Sequence, residues 1–440
     1  MPAVRSAIGA RREKLARDLA RGLHHAADDR RVFLIERGDE ALAELEGWAA
    51  LEHSGAALPA LAGTVLTVKA CLDVGGWVTS SASASTQGDA PASDDAPVVA
   101  ALRASGAVLL GQTNMTEFAY GALGVNSRFG TPRTPLDPTG SRVAGGSTSG
   151  GAVAAATRLA DLSLGSDTSG SVRIPAAFCG CFGFKPSMGR YPGAGMQLLS
   201  RSFDVPGLLA ADLATIRDAD RVLVGDTLPA TPSPRPLRYA IPADLATMET
   251  EAPVRAMFDA CVAALQDHDV RIETVNLPTL AEAAMISGSG GIIAAEAYAI
   301  HAERLAARFD AYDPLVGGRI RQGAEVPAHR YATASSALQD CRRRFDAELA
   351  GFDGFLAPTT PMVAPEYALL ADMERYLAVN SRVFSLTESA NRLDLTSISL
   401  PLARLPTGIM LTGTRGGDAE LLAQAGLLAS IFADLSPLQI

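Results

Sequence analysis

The sequence predicts an α/β protein, a mixed β-sheet core covered by helices on both faces. Short apolar or β-branched runs recur along the 440 residues, and stretches with helical spacing separate them. Hydrophobic residues make up 48% and charged residues 20%, a balance that builds a large core and excludes a disordered chain. Glycine is gathered into two loops, Gly145–Gly151 (GGSTSGG) and Gly165–Pro175 (GSDTSGSVRIP), joined by the small apolar connector Ala152–Leu164. That grouping reads as one supersecondary unit around which the remaining elements pack.

Taken in order, residues 6–28 and 39–52 have the pattern of amphipathic helices. Thr64–Lys69 (TVLTVK) alternates like a short strand and ends on Lys69. A helix follows over 94–105, then an apolar strand over 107–111, then an irregular Gly- and Pro-containing stretch over 118–140. Helical 152–160 leads into a strand at 162–165, and Cys181–Lys185 (CFGFK) reads as another. Beyond a Pro-rich segment at 227–236, strands are expected at 237–241 and 270–275 around a helix at 251–266, as if one sheet continued. Residues 292–350 are mostly helical; strands at 354–357, 396–399 and 408–411 and a helix at 417–433 complete the chain.

The net charge of -10 argues against a general phosphate-binding surface, because nucleic-acid affinity rests on clustered Lys and Arg. No run of 18 apolar residues and no apolar leader segment stands out, so the expectation is a cytoplasmic protein without a membrane or nucleic-acid partner. Five scattered cysteines, Cys71, Cys179, Cys181, Cys261 and Cys341, do not make a disulfide framework. Cys179 and Cys181 lack a second ligand pair, so no metal site is expected.

Glycine lets backbone amides approach a ligand closely, and the loop serines and threonines supply hydroxyls. A site of hydroxyls and amides follows. The frame Gly145–Gly150 lacks the Lys and Ser/Thr that a nucleotide-phosphate loop needs next, since Gly151 and Ala152 stand there. The six histidines lie outside both loops, and no GxSxG elbow is present, so serine chemistry here would use another base.

GGSTSGG paired with GSDTSGSVRIP, preceded by GTVLTVK and followed by GFKPSMGR, resembles the amidase signature family over about 61–206, and again at APTTP near 357–361. Ser171 lies 24 residues after Ser147, and Ser147 lies 78 after Lys69, in keeping with that family's layout. The resemblance implies an amidase-signature fold in one domain over 1–440, with N-terminal helices at about 1–55, a catalytic core at about 61–225 and a helical cover at about 290–350. It also implies a Ser-Ser-Lys triad: Ser171 as nucleophile, Ser147 as bridging serine after a cis Gly146–Ser147 bond, and Lys69 as base. Thr168, Ser169, Gly170 and Ser171 would supply an oxyanion hole.

The chemistry has an independent rationale. Lysine can accept a proton only when neutral, so its pKa must fall from ~10.4 to roughly 7 to 8, and burial at a strand end would lower it. Singly, Lys69 reads as a strand-end charge, Ser147 as a loop capper and Ser171 as a helix cap; jointly, at this spacing, they read as catalytic machinery. Two departures stand out: Thr148 occupies a common serine position, and Ser169 a common glycine position. Asp167 and Arg173 match the family and are expected to be structural.

The expected reaction is hydrolysis of a small carboxamide through an acyl-enzyme on Ser171, releasing ammonia or an amine, without a cofactor. Alternatives are a glutaminase-type subunit of a multiprotein amidotransferase, a hydrolase of a carboxylated urea, and a non-catalytic relative that keeps the fold. Tyr120, Arg128, Arg190 and Arg201 are candidate substrate-binding residues, with Met188, Tyr191, Tyr298, Arg319, Arg321 and Tyr331 as further pocket candidates. The arginines point to a carboxylate on the substrate. A homodimer is one assembly that the sequence leaves open.

Overall fold

The computed structural model describes residues 7–21, 31–225, 236–246, 248–402, 405–433 and 435. Among these described residues eleven strands form one sheet: β1 Phe33–Glu36, β2 Val65–Lys69, β3 Val108–Thr113, β4 Leu162–Asp167, β5 Phe182–Lys185, β6 Val205–Ala210, β7 Arg238–Pro242, β8 Arg271–Val275, β9 Gly354–Pro358, β10 Ser397–Pro401 and β11 Gly408–Thr412. Their order across the sheet is β1-β3-β2-β4-β6-β5-β10-β11-β9-β7-β8. The sheet is mixed: β3, β2 and β4 are parallel, the ladder from β4 through β6, β5, β10 and β11 to β9 is antiparallel, and β9, β7 and β8 are parallel again.

Helices cover both faces, so strands such as β2 and β3 are buried along their whole length, their polar residues included. In β6 the alternation decides which face each residue serves. Leu208 and Ala210 join the core beneath the helices Leu213–Val224, Ala252–Asp267 and Asp418–Ala433, while Leu209 packs under Ser149–Ala156 and Arg173–Cys179. The helix Ser149–Ala156 (SGGAVAAA) is built from small residues for a steric reason. A Cβ at Gly150 would lie 2.3 Å from the Val32 carbonyl oxygen, and one at Gly151 2.6 Å from Ser163 Oγ.

Two strands escape sequence reading. β6 contains Pro206 and Gly207 yet occupies the middle of the sheet, where a Cβ on Gly207 would meet the Phe184 carbonyl at 2.8 Å. β1 is a four-residue edge strand with a register irregularity. The first helix spans Ala7–Ala20 and gives way to a turn at Arg21; the remainder of the stretch expected to be helical, like most of the Pro-rich segment, lies outside the described residues. Strands on both sides of that segment belong to the same sheet.

Pro278–Ala311 reaches a mean hydropathy of 1.3 and is long and apolar enough to cross a membrane by length and composition, a property not anticipated from the sequence. It is broken at Gly291, which adopts a left-handed conformation with φ 64° between the helices Pro278–Gly290 and Ile292–Arg308. With Gly317–Gln322 and Ala328–Glu348 these helices lie over the C-terminal half of the sheet.

Candidate active site

β2 delivers Lys69 to the end of its strand, beside β4, and its side chain is fully buried. Lys69 Nζ lies 2.7 Å from Ser147 Oγ and 2.8 Å from Ser166 Oγ, with the Ser166 carbonyl at 3.3 Å. Among the described residues no carboxylate pairs with it. Burial lowers the Lys69 pKa from 10.5, opposed by Cys71, Asp204 and Asp167. The Cys71 opposition is weak in substance, because burial pushes that thiol up and keeps it neutral. Asp204, itself pushed up to about 6 by burial, is the stronger of the two carboxylate influences on Lys69.

Ser147 follows a cis Gly146–Ser147 bond, as expected, and precedes the helix Ser149–Ala156. Gly146 carries no side chain because a Cβ there would lie 2.6 Å from the Gly124 amide nitrogen. The Thr148 amide donates to the Ser171 carbonyl at 3.1 Å and ties the two glycine loops together. The additional methyl of Thr148 fills the space over Gly165, where a Cβ would approach it to 2.7 Å.

The second loop leaves β4 and turns into the helix Arg173–Cys179. Asp167 organises it. Its carboxylate accepts from the Gly170 amide at 2.8 Å, the Val172 amide at 3.0 Å and the Arg173 guanidinium at 3.0 Å, both side chains being fully buried. Burial would raise the Asp167 pKa, but Arg173 overrides this and holds it well below the usual carboxylate range. Gly170 sits at φ 130°, and its amide is engaged by Asp167. Among the described residues the amides of Thr168, Ser169 and Ser171 have no acceptor within the protein.

Ser171, Ser169 and Thr168 form the floor of a cleft of about 340 Å³. Its walls include Tyr120, Arg319, Asn380, Phe384, Glu388 and Arg392, with Ser287 and Ile293 from the helical cover. Of the residues proposed from sequence to bind substrate, Tyr120 lines the cleft, and the three arginines are elsewhere. Arg128 is exposed and donates to the carbonyls of Asp310 and Tyr312. Arg190 forms a two-pronged ion pair with Asp220, which also takes the Tyr191 hydroxyl at 2.6 Å. Arg201 is exposed and lines no part of the cleft. Met188 is 37% exposed, Tyr298 packs half-buried against the core, Arg321 stacks on Phe309, and Tyr331 donates to Glu296.

Arg319 does reach the cleft. One of its nitrogens donates to the Tyr120 carbonyl at 2.8 Å, and its guanidinium lies 4.2 Å from the centre of the Tyr120 ring. Other site residues gave no early sign. Ser166 was foreseeable only from the pairing of β2 with β4; Asp204, which takes the Thr168 hydroxyl at 2.6 Å, and the segment Thr387–Arg392 are brought in by the tertiary fold.

A sequence profile of the family described as Amidase matches residues 19–422. The chain is 31% identical over 338 residues to a 2-amino-5-chloromuconic acid deaminase of Comamonas testosteroni, covering 75% of this chain and 73% of that protein. It is also 31% identical to a glutamyl-tRNA(Gln) amidotransferase component of Symbiobacterium thermophilum, covering 82% and 81%. A crystal structure of an amidase superposes with a TM-score of 0.87 at 28% identity, covering 97% of each chain. With the profile match across most of its length and the same mixed sheet in a solved amidase, the chain belongs to the amidase signature family and is a hydrolase of amide C–N bonds.

Proposed function

We propose that the chain hydrolyses a small carboxamide with Ser171 as nucleophile, Ser147 as proton bridge and Lys69 as base. The single observation behind this reading is the Lys69–Ser147 contact of 2.7 Å in a fully buried setting without a partnering carboxylate among the described residues. A buried amine without a counter-ion is driven toward its neutral form, and a neutral amine has the lone pair that a base needs.

Attack of Ser171 Oγ on the amide carbon sends its proton to Ser147, whose own proton passes to Lys69. Negative charge then develops on the substrate oxygen, where the amides of Thr168, Ser169 and Ser171 would stabilise it; each such donor is worth roughly 3 to 4 kcal/mol. Lys69 next returns a proton through Ser147 to the departing nitrogen. The C–N bond breaks, ammonia or an amine leaves, and water hydrolyses the remaining ester by the same relay.

A substrate carboxylate is favoured by Arg319, which faces the cleft and has no carboxylate partner among the described residues. The acid named for the Comamonas relative agrees with this reading. The amidotransferase relative supports the alternative of a glutaminase-type subunit that acts with partners. We place the protein in the cytoplasm, acting without a membrane.

Ammonia or amine release across a panel of neutral and carboxylated amides tests the activity. Mass spectrometry of the quenched reaction tests for the acyl adduct on Ser171. Full turnover by Ser171→Ala would remove the nucleophile assignment, and turnover only in the presence of co-purifying subunits would favour the amidotransferase alternative.

A further inference from the structure

The loop Asp167–Ser171 is held from outside by a segment more than 200 positions away in sequence, and three successive carbonyls are taken. Asp167 O accepts from Asn391 Nδ2 at 3.1 Å, Thr168 O from the Arg392 guanidinium at 3.1 Å, and Ser169 O from Thr387 Oγ1 at 2.6 Å. In a trans peptide the C=O and the following N–H point in opposite directions. Fixing the Asp167 and Thr168 oxygens toward Thr387–Arg392 therefore aims the amides of Thr168 and Ser169 away from it, while the Gly170 amide turns to Asp167 Oδ1, which Asn391 Nδ2 also reaches at 2.9 Å. Gly170 donates to Asp167, which leaves Thr168 and Ser169 with free amides at the cleft floor.

Of the three anchors only Arg392 is charged. Its guanidinium also donates to Ser169 Oγ at 3.0 Å and to Glu388 at 3.1 Å, and it stacks 4.5 Å from the centre of the Phe203 ring. Arg392 is 3% exposed, and its Nε has no partner within the protein. A planar fork can span a carbonyl, a hydroxyl and a carboxylate at once, whereas a lysine ammonium on its flexible stem cannot reproduce that spacing.

We infer that Arg392 is a positioning residue for amide hydrolysis: by gripping the Thr168 carbonyl and the Ser169 hydroxyl together it orients the Ser169 amide toward the developing oxyanion. Ser169 is part of the device, since its side chain gives the guanidinium a second hold on the same peptide. The inference rests on Ser171 being the nucleophile. It differs from a plain packing role because preorganised donors act on the transition state and leave ground-state binding almost unchanged.

The test compares Arg392→Ala, Arg392→Lys and Ser169→Ala in the full chain for kcat, KM, Tm and inhibition by a boronic acid analogue of a turned-over amide. Arg392→Ala is expected to lower kcat about tenfold to a hundredfold, part of the 10²–10³ carried by one whole oxyanion donor. KM should stay within about twofold, the boronic acid should weaken in parallel with kcat, and added guanidinium should restore part of the rate. Ser169→Ala combined with Arg392→Ala should be no slower than Arg392→Ala alone, because both remove one shared contact.

Arg392→Lys carries the test if the alanine variant does not fold. Unchanged kcat in whichever variant folds overturns the inference. So does a loss confined to Tm and KM with no guanidinium rescue. Turnover by Ser171→Ala would instead overturn the nucleophile assignment, which makes the two failures separable.

Discussion

Lys69 Nζ and Ser147 Oγ face each other across 2.7 Å with neither residue exposed to solvent. A charge at that position carries an unshared desolvation cost, and the pKa of Lys69 is lowered for that reason. The unfolded chain therefore binds a proton that the folded chain gives up, between the lowered value and 10.5. Stability should climb with pH across that window and level off above it. Urea titrations at several pH values check this, and Lys69→Met should lack the slope. The same ionisation should appear in kcat/KM, which rises as Lys69 loses its proton. Lys69→Met and Ser147→Ala should each lose about 10²- to 10⁴-fold in kcat, the usual range for a positioned proton acceptor.

The parts of this site that were readable in sequence are those whose chemistry is local in the chain. Two glycine loops whose serines, Ser147 and Ser171, lie 24 positions apart, and a lysine closing a β-branched run, announce themselves because glycine and strand alternation act over a few residues. Arg190 and Arg128 were misread for the opposite reason. Nothing near Arg190 says that Asp220 will arrive to pair with it, or that the Asp310 and Tyr312 carbonyls will occupy Arg128. β6 was hidden by Pro206 and Gly207, whose strand conformation is imposed by β4 and β5 on either side. Arg392 had no local mark at all.

Asp167 and Arg173 form an ion pair from which water is excluded, and breaking such a pair leaves one buried charge uncompensated. Arg173→Met should cost about 3–5 kcal/mol of unfolding free energy, measurable by urea denaturation. The pH dependence should also reverse. In the natural chain Asp167 is held below its unfolded value, so its contribution is present above about pH 3.9 and lost on acidification. Without the guanidinium, burial would dominate and raise the carboxyl pKa, so the variant should gain stability as pH falls toward 4.

Gly165 and Thr148 fit each other across the base of the two loops. A Cβ at Gly165 would stand 2.7 Å from the Thr148 methyl and 2.8 Å from its hydroxyl oxygen. Gly165→Ala should cost about 1–3 kcal/mol through overpacking, with a matching fall in Tm. Thr148→Ala clears both atoms, so the double variant should recover most of that loss. A strictly additive result would mean that the alanine collides with something other than Thr148.

Arg319 offers the sharpest test of what the cleft accepts, because its guanidinium stacks on Tyr120 and donates to a backbone carbonyl while no carboxylate neutralises it among the described residues. A hydrogen bond to a charged group contributes about 1.5–3 kcal/mol, which corresponds to roughly tenfold to over a hundredfold in binding. Arg319→Gln should therefore raise KM by about that factor for amides carrying a carboxylate and leave KM for neutral amides of similar size nearly unchanged. Arg319→Lys should fall between, since it keeps the charge and loses the fork. Steady-state kinetics on one matched pair of substrates, an amide and its carboxylated counterpart, separates the outcomes. An equal loss on both would assign Arg319 to holding Tyr120 in place, and the preference for acidic amides would then have to come from another wall of the cleft.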